Sequence, residues 1–316
     1  AIQRETGAFN FYSRKSEDPT MPAGVKGLLA RLAEEERNHR RLLITEYISV
    51  KKDWVEREDE VKGKILSYDL PERLEFIPLE TAGDLDIAAV SLPSRLVGGD
   101  NILSFVLRGE EGGETQTVLI LYDVMGHSLE TTEVNALAAR LMGEYSEMSG
   151  SISRAEEQMN PKILVELLNR GLYEKYEGQG TFLTMLCVLF DSERETLAFT
   201  CAGHEPPFII LDDGKVASLL NTQLIVGIDP NYPYRLHEAP FGGGNLFCVF
   251  SDGIIEVKNE KGEYFGREGV KRVLDKCKNK PPKEIIRDML KEVDAFIGGK
   301  HIEDEVSIVI VKSKGE

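Results

Sequence analysis

Positive charge is scarce in this chain of 316 residues: 38 Lys and Arg stand against 54 Asp and Glu, for a formal net charge of −16. Affinity for nucleic acid is carried largely by Lys and Arg neutralising phosphates, so a surface this acidic argues against a phosphate-backbone binder. Long apolar runs are missing too. The longest, such as 118–122 and 246–250, have the length of a strand and fall far short of the roughly 18 residues that read as a membrane span. Ala1-Ile2-Gln3-Arg4-Glu5 lacks the apolar block of a secretory signal, and opening on Ala leaves room for residues before it. Cysteine is sparse. Cys187, Cys201, Cys248 and Cys277 form no CxxC pair and mostly sit in apolar runs, the pattern of reduced core residues in a cytoplasmic protein.

What remains is an ordinary globular composition, 41% hydrophobic and 29% charged, in two textures. Residues 1 to about 70 have helical spacing. Ile2, Glu5, Phe9 and Tyr12 share one stripe, Glu17-Asp18-Pro19 and Pro22 interrupt it, and a second helix is expected from Ala23. Along that helix Leu32, Glu36, His39, Leu43, Glu46 and Val50 alternate four and three apart, an a/d seam. Trp54, Val61 and Ile65 extend the pattern as a linker, and the boundary falls near Leu70-Pro71, because proline disfavours a helical residue before it.

Beyond it come short β-rich runs split by Gly, Asn and Asp turns. They predict strands near 84–91, 101–108, 116–123, 182–191, 195–201, 206–211, 234–239, 245–251 and 305–312, with helices near 129–149, 160–176, 266–277 and 281–297. Strands joined by short turns favour antiparallel pairing, and long helices between groups of strands favour a layered α+β domain.

The acids of this second part fall at particular places. The run Val118 to Tyr122 ends in Asp123, and the run Phe247 to Ser251 ends in Asp252. Asp100 opens the strand expected to form a hairpin with the one ending at Asp123, so antiparallel pairing puts both at one rim. Asp304 precedes the last strand. Four carboxylates at one end of a sandwich repel one another unless protons or cations intervene, and an all-oxygen set suits Mg²⁺ or Mn²⁺. The competing reading is that each is a turn aspartate, since Asp-Gly and Gly-Asp are common turn formers.

Seven short motifs, in order along about 73–316, resemble the metal-dependent PPM serine/threonine phosphatases in their SpoIIE/RsbU-like branch. They are Val97-Gly98-Gly99-Asp100, Tyr122-Asp123-Val124-Met125-Gly126-His127, Thr181-Phe182-Leu183-Thr184, Ala202-Gly203-His204-Glu205-Pro206-Pro207, Phe250-Ser251-Asp252-Gly253, Glu263-Tyr264-Phe265-Gly266 and Glu303-Asp304-Glu305. The resemblance implies an αββα sandwich of two antiparallel sheets flanked by helices, with two Mn²⁺ or Mg²⁺ ions in a cleft at one end. Asp123 and Asp252 take the catalytic positions. Asp123 would bridge the metals with the Val124 carbonyl as a further ligand, Asp252 and Asp304 would hold one ion, and Asp100 would act directly or through water. Gly203 and His204 would shape the cleft, and Arg95 would contact phosphate or remain a surface charge.

The implied reaction is hydrolysis of a phosphoserine or phosphothreonine monoester by a metal-activated water, on a phosphoprotein such as a STAS-domain anti-sigma-factor antagonist. No CxxxxxR spacing follows Cys187, and no GxxxxGK[ST] loop is present, which agrees with a mechanism lacking a covalent cysteine or a nucleotide. Two departures stand out. No second acid follows Asp100, and the loop after Asp123 carries Met125 and Ser128, where the family usually has Ser and a second Gly.

The front segment, about 1–50, is similar to one hairpin of the ferritin-like, rubrerythrin-type di-iron proteins, through Glu5, Phe11-Tyr12 and Glu36-Arg37-Asn38-His39. Such sites take ligands from four helices. Two chains pairing their hairpins would complete one iron site from Glu5, Glu36 and His39, with a homodimer as its consequence. The plainer reading is a dimerising pair of helices whose polar seam residues set register. The expected organisation is therefore a hairpin over 1–50, a linker over 51–72 and the sandwich over 73–316. Two rival functions stay open: a di-iron oxidase or peroxide scavenger with a passenger β domain, and a non-catalytic binding module.

Overall fold

The structure, a computed structural model, describes residues 22, 25–32, 74, 76–81, 85–92, 99–108, 115–124, 134–138, 140, 141, 160–176, 181–211, 214–298, 302 and 304–314. The chain divides into two units, Ala1–Asp69 and Leu70–Glu316. In the first, residues 25–32 are helical, with Lys26 N–H donating to the Pro22 carbonyl at 3.0 Å. Glu5, Glu36 and His39 lie outside the described residues, as do Arg95, Gly98 and the 125–130 loop.

Among the described residues the second unit has eleven strands: β1 Leu85–Leu92, β2 Asp100–Arg108, β3 Thr115–Val124, β4 Leu183–Asp191, β5 Thr196–Ala202, β6 Phe208–Ile210, β7 Val216–Ser218, β8 Thr222–Gln223, β9 His237–Pro240, β10 Leu246–Phe250 and β11 Val306–Ser313. One sheet runs β1-β11-β10-β6-β7; the other runs β2-β3-β4-β5-β8, with β9 on β5. Pairing is antiparallel apart from the two-residue β5–β8 ladder, Cys201↔Thr222 and Ala202↔Gln223, which is parallel.

The strand period of two sorts the core into three layers. Ile102, Leu119, Leu121, Leu186, Val188, Phe247, Val249, Val309 and Val311 meet between the sheets. Their alternates on β3 and β4, Val118, Ile120, Tyr122, Met185 and Cys187, pack outward on the helix α1, Pro161–Tyr176, and on the helical residues Val134, Leu137, Ala138 and Leu141. On the other sheet, Cys248, Phe250, Ile308 and Ile310 pack outward on α3, Gly266–Cys277, and α4, Pro282–Ile297. The result is an αββα sandwich, as the sequence pattern and the resemblance imply.

Local chemistry sets the helix starts. Asn160 Oδ1 accepts from Lys162 N–H at 3.0 Å ahead of Pro161, and Pro281-Pro282 opens α4 where its missing donors cost nothing. Five elements differ from expectation. β6 begins at Phe208 because Pro206-Pro207 offer no ladder donors. β9 begins only at His237, and the short β7 and β8 carry too few residues to show alternation. The turn after β10 winds into α2, Asp252–Ile255. All four cysteines are free and buried, which fits their reading as core residues.

Candidate active site

Asp100 and Asp123 are direct cross-strand partners in the β2–β3 ladder, at the end of the hairpin. Period two then fixes the side they face. Ile102 next to Asp100, and Leu119 and Leu121 before Asp123, all point between the sheets, so both aspartates point there too. Val124 N–H donates to the Gly99 carbonyl at 3.1 Å and closes the corner. Gly99 is buried against this corner. A Cβ there would stand 2.8 Å from the Val124 carbonyl oxygen and nearer still to Asp123 Oδ1, so only glycine leaves room for that carboxylate.

The opposite sheet brings the other two acids to the same lip. β10 and β11 pair with Phe250 opposite Ile308, and Ser251 N–H donates to the Ser307 carbonyl at 2.9 Å just beyond. Asp252, first residue of α2, and Asp304, before β11, flank that link. Ser251 Oγ donates to the Glu305 carbonyl at 3.1 Å and accepts from Ser307 N–H at 2.9 Å. Gly253 lies so close to residue 305 that a Cβ would come within 2.7 Å of its carbonyl carbon. This packing needs glycine as firmly as Gly99 does.

Contact between the two halves is made at Asp100. Its N–H donates to Glu305 Oε2 at 2.9 Å. Burial pushes its carboxyl up to about 7; the hydroxyls of Ser307 and Ser251 pull the other way, and the charges of Glu305 and Asp252 push further up. Asp100 Oδ2 is buried with no hydrogen-bond partner. Among the described residues no three His, Cys, Asp or Glu are gathered tightly enough to hold an ion as they stand, as expected of like charges without a counter-ion.

His204 stands one strand away. Its Nδ1 is 3.0 Å from Thr184 Oγ1, and Thr184 is the β4 partner of Asp123. The ring is buried, its Nε2 without a hydrogen-bond partner, and burial pushes the imidazole down to about 4, opposed by the Phe250 backbone it faces. The carbonyl of His204 accepts from Cys201 Sγ and Thr222 Oγ1, and Gly203 N–H donates to Gln223 at 2.9 Å. The next residue, Glu205, is tied to Arg267 at 2.9 Å, while Arg267 donates to Ser218 Oγ and lies over the Phe208 and Phe250 rings.

Glu305, Ser251, Ser307 and Arg267 had no assigned part in the sequence reading. Glu305 and Ser251 carried a signal, their places beside Asp304 and Asp252.

The donors fit a hard divalent ion on three counts: they are all oxygens, a buried carboxylate oxygen lacks a protein partner, and two glycines keep side chains out of the corner. Known proteins share sequence and fold with this chain. A family profile described as Stage II sporulation protein E (SpoIIE) matches residues 113–314. The phosphoserine phosphatase RsbU of Bacillus subtilis (strain 168) is 23% identical over 242 residues, 75% of this chain and 65% of that one. The chain spans less than two thirds of the curated relatives it matches. The SiaA-PP2C domain of Pseudomonas aeruginosa superposes with a TM-score of 0.60 at 19% identity, over 72% of this chain and 85% of that one. The catalytic domain of the serine/threonine protein phosphatase PstP, solved with two manganese ions, superposes with a TM-score of 0.50 at 14% identity, over 73% and 98% of the two chains. These structures share the fold. The profile match begins at residue 113 and carries nothing about the ferritin-like reading of residues 1–50.

Proposed function

The chain belongs to the Stage II sporulation protein E (SpoIIE) family, and from that premise we propose that its second unit is a metal-dependent phosphoserine/phosphothreonine protein phosphatase. One observation carries the reading: four aspartates distant in sequence stand at one end of the sandwich, Asp100 and Asp123 paired across β2 and β3, Asp252 and Asp304 beside the ends of β10 and β11. Asp100, Asp123, the Val124 carbonyl, Asp252 and Asp304 would hold two Mn²⁺ or Mg²⁺ ions. When bound, such ions supply an activated water and offset charge on the phosphoryl oxygens.

The chain's own residues do the rest. The buried corner at Gly99 keeps the Asp123 carboxylate in one place, so no entropy is lost in ordering it at the moment of reaction. The Ser251 and Ser307 hydroxyls beside the Asp100 carboxyl favour its charged form against the effect of burial. The neutral His204 ring, hydrogen-bonded to Thr184, braces the strand beside Asp123 without adding a charge that would compete for the ions. Phosphoserine monoesters are very slow to hydrolyse in water, so this concentration of fixed charge has a large barrier to lower.

RsbU, named a phosphoserine phosphatase, supports a phosphoprotein substrate, and the resemblance favours a STAS-domain anti-sigma-factor antagonist. The iron and the homodimer expected of the front segment find no support in the comparisons and form no part of this proposal. The test is phosphate release from a phosphoserine peptide with Mn²⁺, Mg²⁺ or chelator. Activity that requires the ion and falls about a thousandfold in Asp123→Asn, worth ~4 kcal/mol of barrier, supports the assignment. Equal release in chelator, or release untouched by Asp123→Asn, overturns it.

A further inference from the structure

The proposed ligands hang from two separate bodies: Asp100 and Asp123 end the β2–β3 ladder of one sheet, while Asp252, at the start of α2, and Asp304, ahead of β11, lie at the end of the other. A metal site tolerates errors of only a few tenths of an ångström in its ligand distances. Packing of apolar faces resists separation of two sheets but is poorly directional, so it fixes the height of a slide between them weakly. Something at the lip has to set the alignment.

The hydrogen bond from Asp100 N–H to Glu305 Oε2, 2.9 Å, joins the first residue of β2 to the residue before β11. Residue 305 is itself held from three sides. Its carbonyl accepts from Ser251 Oγ, its N–H donates to Asp304 Oδ1 at 2.9 Å, and Gly253 packs on its carbonyl. One side chain therefore connects β2 to the ends of β10, α2 and β11. The bond is charge-assisted, the stronger kind of amide–carboxylate contact.

We propose that Glu305 is a positioning residue, a strut across the two sheets that sets the separation of the Asp100/Asp123 pair from the Asp252/Asp304 pair without itself binding an ion. Its metal consequence rests on the phosphatase reading; the strut does not. A longer arm than aspartate is required because Asp304, one residue earlier, is taken up with the Glu305 N–H on its own sheet. Glutamine keeps the acceptor and the reach while removing the charge, which separates a strut from a ligand.

The experiment uses the full chain as wild type, Glu305→Gln and Glu305→Ala. In chelator, amide exchange at Asp100 is expected to accelerate at least about tenfold in the alanine variant and to stay near wild type in the glutamine variant, as one lost hydrogen bond implies. Calorimetric Mn²⁺ titration is expected to show affinity falling roughly 10–100-fold in Glu305→Ala, the range for residues supporting a ligand, with Gln restoring it to within about threefold. Should the alanine variant fail to fold, Glu305→Asp, which keeps the charge and shortens the arm, is expected to give the same two losses. Unchanged Asp100 exchange in the alanine variant overturns the strut. Mn²⁺ affinity as poor in Gln as in Ala overturns it as well, by making Glu305 a ligand. Wild type that takes up no Mn²⁺ sinks the phosphatase reading, and the exchange measurement then decides the strut alone.

Discussion

Gly99→Ala adds a single methyl group and tests the corner directly. The backbone at Gly99 is not in the left-handed region, so alanine costs nothing there in conformation and acts only through space. Ordinary Cβ contacts lie at 3.4–4 Å, whereas this one would sit 2.8 Å from the Val124 carbonyl oxygen and nearer to Asp123 Oδ1. Neither backbone nor a hydrogen-bonded rim yields easily, so the Asp123 carboxylate must swing away by roughly 1 Å, a displacement that costs on the order of 100-fold in rate when it falls on a reacting group. That corresponds to about 2.7 kcal/mol of barrier. Overpacking adds about 1–3 kcal/mol of instability. Two assays separate the effects: Mn²⁺-dependent phosphate release at saturating substrate, and thermal unfolding in chelator. A kcat down about 100-fold in a protein that still melts cooperatively is the expected result. Wild-type kcat in Gly99→Ala would refute the argument, because it would mean that the Asp123 carboxylate does not work from the position the corner gives it.

Three further outcomes follow from the same geometry. Asp100 has its folded carboxyl raised to about 7 from 3.8, so in chelator its contribution favours folding at low pH and is lost as pH rises through 7; urea unfolding of wild type should lose on the order of 2–3 kcal/mol between pH 5 and 8 relative to Asp100→Asn, and equal slopes would contradict it. His204 is depressed to about 4 from 6.5, so its part in stability is present above 6.5 and lost as pH falls toward 4, and its ring resonances should not titrate between pH 5 and 8; an NMR midpoint near 6.5 would show the ring to be solvated. Arg267→Ala removes a largely buried ion pair to Glu205 and stacking on Phe208 and Phe250, and should lower stability by about 1 kcal/mol, read as the urea midpoint, with any loss of activity showing in KM before kcat as the 203–207 loop loosens.

Much of the sandwich was legible because its strands carry uninterrupted apolar runs and its helices carry clear stripes. The residues Gly266–Cys277 were read as a helix with the same bounds, and β3 within one residue at either end. The opposition of Asp100 and Asp123 followed from hairpin pairing alone, since two strands joined by a turn leave little choice of partner. The cross-sheet contacts were not legible. No local pattern announces that the N–H of residue 100 will meet the side chain of residue 305, because which ends of two sheets meet is decided by packing over the whole domain. The Arg267–Glu205 latch was hidden for the same reason. The late start of β6 is written in the sequence, since Pro206-Pro207 can give a ladder no donors.

A metal site assembled from both halves of the sandwich, as proposed, has a meaning for how the protein would mature. A chain that has completed only one half offers an incoming ion two carboxylates and no cage, so uptake waits for the whole domain to close. Once the halves meet, every captured ion adds RT ln(1 + [ion]/Kd) to the stability of the closed form alone. Metal loading would thereby be a checkpoint on finished assembly, and the proposed phosphatase would be born inactive until its last layer is in place.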